Sequence, residues 1–176
     1  MTLALEGRVR KFGDHVNTDY VITSTRKRDT LDVSVLKQYL FEVVDPKFAA
    51  SVQPGDLIVA GRNFGCGSAM EIAASVILAA GIRAVLAESF SRTFFRNAIN
   101  NGLLPVQCDT KAMREGQSLS VTLSETAVVV KNLTAGPTVT GPALPGIMQS
   151  ILAAGGLVPY LRANGGFSAA SSQGGT

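Results

Sequence analysis

Four apolar residues follow Asp56 in DLIVA, and a second block, RAVLAE, runs from Arg83 to Glu88. Apolar runs this short, one of them entered through the turn-forming QPGD at 53–56, predict strands buried on both faces. Gly7 to Phe12 predicts another short strand, and Pro105 to Cys108 resumes extended structure. Residues 33–44 have a different rhythm. Val33, Leu36, Leu40, Phe41 and Val44 fall three and four apart, Asp32 stands ahead as a cap and Pro46 behind, which predicts one amphipathic helix. A further helix follows the stretch NFGCGS and stops at Gly81, and RTFFRNAINN is capped by Ser91 and stopped by Gly102. Ser118–Leu123 and Thr126–Leu133 predict a hairpin turning at Ser124 and Glu125. Pro142 to Ala154 predicts a last helix, with Tyr160 and Leu161 packing its end. The result is a single mixed α/β domain over residues 1–167, with a disordered tail over 168–176.

Composition narrows the function classes. The chain of 176 residues has 46% hydrophobic residues, enough to bury a full core. Sixteen Lys plus Arg oppose thirteen Asp plus Glu, and the basic residues are scattered apart from Arg26, Lys27 and Arg28. No basic stripe is present for nucleic acid. The start, MTLALEGRVRK, lacks a signal-peptide core, and the longest apolar run, Val76 to Ile82, is too short for a membrane span. The cytoplasm is the expected location. Cys66, Cys108 and the lone His15 cannot supply the three or four close ligands of a zinc or iron–sulfur site, so any metal centre is expected from a partner.

The chemistry concentrates in NFGCGS, residues 63–68. A glycine-rich turn feeding a helix leaves backbone N–H groups unpaired where the helix dipole favours negative charge. Gly65 and Gly67 let a ligand approach the backbone, and Ser68 is placed at the N-cap, its hydroxyl free to cap or to react. The spacing is neither a dinucleotide fingerprint nor a phosphate loop with lysine. Two readings stay open from the motif alone: a tight turn with a capping serine, or a carboxylate or phosphate site.

Three stretches in order change that balance: GRVRKFGDHVNTD, then QPGDLIVAGRNFGCGSAMEIAASVILAAGIRAVLAESFSRTFFRNAINNGLLPV, and LVPYLRANGGF. Their combination of GDxxxTD, NFGCGS and FxRNAxNxG resembles the small subunits of isopropylmalate isomerase, the swivel domain of the aconitase superfamily, over roughly residues 6–167. The resemblance implies a three-layer β/β/α fold with a mixed sheet, and a hydro-lyase or isomerase of two chains, inactive without its large subunit. It implies a large subunit carrying a 4Fe–4S cluster on three cysteines, with no cofactor on this chain. The implied substrate is a small di- or tricarboxylic acid: isopropylmalate or, alternatively, maleate, citraconate, a dimethylmalate or homoaconitate.

In the family the bend reads GSSRE, its first serine acting as base and its arginine gripping a substrate carboxylate. The base position falls on Ser68, with Gly65, Cys66, Gly67, Ala69 and Met70 around the substrate. This chain reads GSAME: the second serine is Ala69, the arginine is Met70, and a usual histidine is Ile72. Losing an arginine–carboxylate contact removes roughly 1.5–3 kcal/mol. A changed substrate, a replacement cation or loss of catalysis would each account for it. The cationic loop TSTRKRDT offers Arg26 and Arg28 toward a polar substrate end, against the alternative of a solvated or partner-facing loop. Arg92 and Arg96 share one helix face, and one of them is the candidate replacement, with solvent or interface pairing as the alternative. Asp14, Thr18 and Asp19 match the family loop and are read as fixing its geometry. His15 is read as a loop residue. A non-catalytic swivel domain that binds a partner is the competing function class.

Overall fold

The computed structural model describes residues 3–165. The expected tail at 168–176 lies outside them. Four parallel strands, β1 (Leu3–Lys11), β2 (Leu57–Ala60), β3 (Ala84–Ala87) and β4 (Leu104–Gln107), join three antiparallel ones, β5 (Ser118–Leu123), β6 (Ala127–Asn132) and β7 (Val139–Pro142). They form one mixed sheet in the order β4-β3-β2-β1-β5-β6-β7. Strand β1 is long because it serves two partners: Leu3–Arg8 run antiparallel to β5, and Val9–Lys11 run parallel to β2. The antiparallel half then curls over until β7 packs back against β4.

That curl creates two cores. Ile58, Ala60, Val85 and Ala87 face the helices, meeting Ala73, Ala74, Val76 and Ile77 of α5 (below). Leu57, Val59, Ala84 and Leu86 face inward, meeting Leu119, Val121, Val128 and Val130 of the antiparallel half. Strands covered on both faces carry apolar residues at every position, which is why DLIVA and RAVLAE show no alternation. Helix, parallel sheet and antiparallel sheet are the three layers expected from the sequence. Loops and short helices precede β2: α1 (Thr18–Val21), α2 (Ser24–Asp29), α3 (Val33–Leu36) and α4 (Phe48–Ser51). Helices α5 (Glu71–Ala79) and α6 (Arg92–Asn101) connect the parallel strands, and α7 (Gly146–Ala153) and α8 (Leu157–Asn164) follow β7.

Asp56 locks the start of β2 to β1. Its carboxylate is buried and accepts from Arg8 Nη2 at 2.8 Å, Arg8 Nε at 3.1 Å, Arg10 Nη1 at 3.4 Å and the Gln53 N–H at 3.0 Å. Burial pushes this carboxyl up, but the Arg8 hydrogen bonds, the Gln53 N–H and Arg10 outweigh it and hold it below the ordinary carboxylate value.

Two expected elements are corrected. The helix over 33–44 ends at Leu36, continues as a 3-10 turn over Lys37–Tyr39, and breaks at Phe41, whose φ is 57°. Phe41 gives up the helix because its N–H donates to Val21 O at 3.0 Å and its ring packs on Phe12 and Phe48, with centroids 4.3 and 5.0 Å away. The helix expected from Pro142 starts only at Gly146, since VTGP at 139–142 pairs with Ala127–Val130 as an edge strand. Gly and Pro hide such a strand from local pattern. Helix α8 stands where only packing of Tyr160 and Leu161 was expected.

Candidate functional site

The segments leaving the carboxyl ends of β1, β2 and β3 stay paired beyond the sheet, the edge at which open parallel sheets place ligands. Gly61 N–H donates to Gly13 O at 3.1 Å, His15 N–H to Arg62 O at 2.8 Å, Gly65 N–H to Val16 O at 2.8 Å and Thr18 N–H to Cys66 O at 2.8 Å. On the other side Phe64 N–H donates to Ser89 O at 3.0 Å and Ser91 N–H to Phe64 O at 2.9 Å. Phe64 anchors the bend: it is fully buried, edge-on to Phe94 at 5.0 Å.

Two glycines make the bend possible. At Gly65 (φ 79°) a Cβ would lie 2.2 Å from Phe94 Cβ, and at Gly67 (φ 94°) 2.2 Å from Asn17 Oδ1. Any side chain would be both strained and in collision. Two carbonyls of the bend are taken by hydroxyls: Ser91 Oγ donates to Gly65 O at 2.7 Å, and Thr18 Oγ1 to Ser68 O at 2.8 Å. The N–H groups of Gly67, Ser68, Ala69 and Met70 meet no acceptor among the described residues. The bend thus holds a run of donors that the described residues leave unused, as an anion cradle requires.

Ser68 is not the helix cap. Helix α5 begins at Glu71, its cap position is Met70 (φ −118°, ψ 109°), and no side chain caps it. Ser68 stands two residues earlier, exposed, its hydroxyl donating to Asp19 Oδ2 at 3.4 Å. Freed from capping, it is available for chemistry. Asp19 also accepts from Ser24 Oγ at 3.2 Å, and its N–H donates to Asn17 Oδ1 at 2.8 Å. Thr18, almost fully buried, serves as the strut under Ser68.

The other residues singled out in the sequence separate into groups. Asp14 accepts from the Arg62 N–H at 2.7 Å and from Arg62 Nη2 at 3.4 Å, and the Arg62 backbone N–H above all holds its carboxyl below the usual value. His15 (φ 55°) is exposed, with Nδ1 3.1 Å from the Asn63 amide nitrogen. The loop TSTRKRDT contains α2, capped by Thr23, whose Oγ1 accepts from the Arg26 N–H at 3.4 Å. Arg26 points its fork at Glu42, Nε to Oε1 at 2.9 Å and Nη2 to Oε2 at 3.0 Å, and stacks on Tyr39 at 3.8 Å. That arrangement builds the loop. Arg28 is exposed. Arg92 and Arg96 line a separate pocket of about 540 Å³ with Phe90, Phe95 and Gln107, and none of residues 63–70 lines it. Among the described residues no hydrogen bond or ion pair joins either arginine to residues 63–70.

The cation that does reach Met70 is Lys27, whose Nζ lies against the Met70 sulfur and 3.9 Å from Asp19 Oδ1. Lys27 was legible only as part of a charge run. Asn17 was missed as well, although an asparagine directly before a helix and two residues ahead of an acidic one is a local capping signal. Cys66 is half-buried, and Cys108 is buried, its thiol pushed up to about 12, first by burial and then by Asp109. Among the described residues no three His, Cys, Asp or Glu side chains come close enough to hold a metal ion, and no helix is long and apolar enough to cross a membrane. The donor set of this chain does not fit an iron–sulfur cluster.

Residues 10–111 match the aconitase C-terminal domain family. The isopropylmalate/citramalate isomerase small subunit of Methanocaldococcus jannaschii is 45% identical over 164 residues, covering 92% of this chain and 96% of that one. The methanogen homoaconitase small subunit of the same organism is 41% identical, covering 91% and 92%. The crystal structure of its 3-isopropylmalate dehydratase superposes with a TM-score of 0.86 at 40% identity, over 93% of this chain and 96% of that one. With the bend of residues 63–70 lying inside the matched span, the chain belongs to the aconitase C-terminal domain family, among relatives of the isopropylmalate dehydratase small subunits.

Proposed function

We propose that the chain is the small subunit of a two-chain hydro-lyase or isomerase that moves water across a double bond in a small hydroxy di- or tricarboxylic acid. The observation that carries this reading is the exposed Ser68 hydroxyl beside Asp19, within a row of N–H groups that meet no acceptor among the described residues, in a chain of this family. Such donors stabilise developing negative charge without reorganising during the reaction. The partner is a large subunit holding an iron–sulfur cluster, which when bound supplies a Lewis acid for the departing hydroxyl. The assembly works in the cytoplasm, and this chain alone is inactive.

Within this chain, Ser68 Oγ takes the proton from the carbon next to a substrate carboxylate. Its own hydroxyl proton passes to Asp19 Oδ2, along the hydrogen bond that is already formed at 3.4 Å. That bond is long, as catalytic hydrogen bonds are before substrate tightens them. Thr18 holds Ser68 through its carbonyl, and Gly65 and Gly67 keep the surrounding N–H groups free for the substrate carboxylate.

The test is anaerobic turnover of the chain assembled with its large subunit, against C4 to C7 hydroxy diacids and their unsaturated counterparts, followed by alkene absorbance. Wild-type turnover lost in Ser68→Ala supports the reading. Equal turnover of the two would assign the chain to partner binding.

A further inference from the structure

We infer that Lys27 is the substrate-carboxylate cation of this bend, replacing the arginine that the resemblance leads one to expect at Met70. This rests on the proposed function and deepens it.

Among the described residues, Lys27 is the cation whose ammonium meets both Met70 and Asp19. Arg26 is held by Glu42 and Tyr39, Arg62 is exposed and bound to Asp14, and Arg92 and Arg96 line a different pocket. Lys27 lies across 43 residues of sequence from Met70, beside the end of the bend that carries Ser68. Its side chain is only 17% exposed.

The ammonium is poorly satisfied where it sits. It has three N–H donors, a thioether that accepts weakly, and a carboxylate oxygen at 3.9 Å, beyond hydrogen-bond length. An incoming anion supplies the strong acceptor that this ammonium lacks among the described residues. The same anion meets the donors of Gly67, Ser68, Ala69 and Met70. Helix α2 is pinned by the Arg26–Glu42 fork and the Thr23 cap, so Lys27 is preorganised and little ordering is left for binding.

Met70 then has a positive role. Its flexible thioether meets the lysine ammonium, while it also packs against the helix-side core. An arginine there would set a second cation against Lys27. A lysine offers a point charge rather than a planar fork, so one carboxylate oxygen suffices and the demand on substrate orientation is looser.

The experiment uses the assembled two-chain complex with two readouts: kcat/KM on the diacid it turns over, and calorimetric binding of tricarballylate, a tricarboxylate with no hydroxyl to eliminate. Lys27→Met is expected to lower both by about ten- to a hundredfold, the size of a hydrogen bond to a charged group. Lys27→Arg should keep both within about tenfold, because the charge remains. Met70→Arg alone should weaken binding through like-charge repulsion, and Lys27→Met/Met70→Arg should recover part of it. Lys27→Met with wild-type binding and turnover overturns the inference, while Ser68→Ala still decides the proposed reaction. Tricarballylate binding that depends on Lys27 in a complex without turnover upholds the inference and sinks the reaction. Neither binding nor turnover in the wild-type complex overturns both.

Discussion

Two charged clusters in this molecule use the same kinds of side chain to opposite ends. At Arg8, Arg10 and Asp56 the carboxylate is buried and surrounded by donors at 2.8 to 3.4 Å, tying β1 to β2. At Lys27, Asp19 and Ser68 the ion pair is 3.9 Å apart, the serine bond is 3.4 Å, and a row of N–H groups lacks acceptors among the described residues. The first cluster is complete, and a ligand could add nothing to it. The second is left incomplete by the protein alone, which is the condition for binding something else. Unsatisfied polar groups locate the candidate site better than charge count does.

The comparison breaks most visibly at Ser68. In the assembled enzyme Ser68→Ala should lower kcat by roughly 10²–10⁴-fold, the range of a positioned general base, while the melting temperature stays put. A large loss of stability instead would place Ser68 with the structural cluster. Asp56→Ala should do the reverse, costing about 3 kcal/mol in urea unfolding because buried Arg10 loses one of its two carboxylates and keeps, among the described residues, only Glu115 as counter-charge. Next in size is Gly67→Ala, expected to cost about 1–3 kcal/mol for its left-handed backbone, and to reduce turnover because Asn17 and the bend must move apart. An unchanged melting curve with unchanged turnover would show that the bend is softer than its contacts imply.

Acid should separate the two clusters further. The Asp56 carboxyl is held below its unfolded value of about 3.9. Its contribution to stability is therefore fully present above that value and is lost as pH falls through the folded one. The gap in urea midpoint between wild type and Asp56→Asn should be wide at pH 7 and narrow toward pH 3. A gap independent of pH would mean that hydrogen bonding, not ionisation, holds the strand. The smallest expected effect concerns the thiols. Half-buried Cys66 should react with a thiol reagent in the native state, and Cys108, buried and with its pKa pushed up, should react only on unfolding.

The strands β2 and β3, the hairpin β5–β6 and helix α6 between Ser91 and Gly102 were legible in the sequence, because each carries its own pattern and its own punctuation. So was the polar bend at 63–68, whose glycines announce backbone geometry before any contact is known. Phe41 was misread because its partners, Val21, Phe12 and Phe48, lie on other elements and outweigh the helical period. Strand β7 was misread because an edge strand is defined by its neighbour rather than by its own residues.

The sequence by itself determined the family and its mixed α/β layers and the glycine bend. These follow from local residue order, which a chain carries whether or not it is folded. Only the tertiary structure decided that Ser68 lies outside the helix it was expected to cap, that Arg26 belongs to Glu42, and that Lys27 reaches Met70. Asp19 and Ser68 are 49 residues apart, and Lys27 and Met70 are 43 apart. Such meetings come from the parallel pairing of β1 with β2, which brings the loops after both strands to one edge, and no local pattern encodes them.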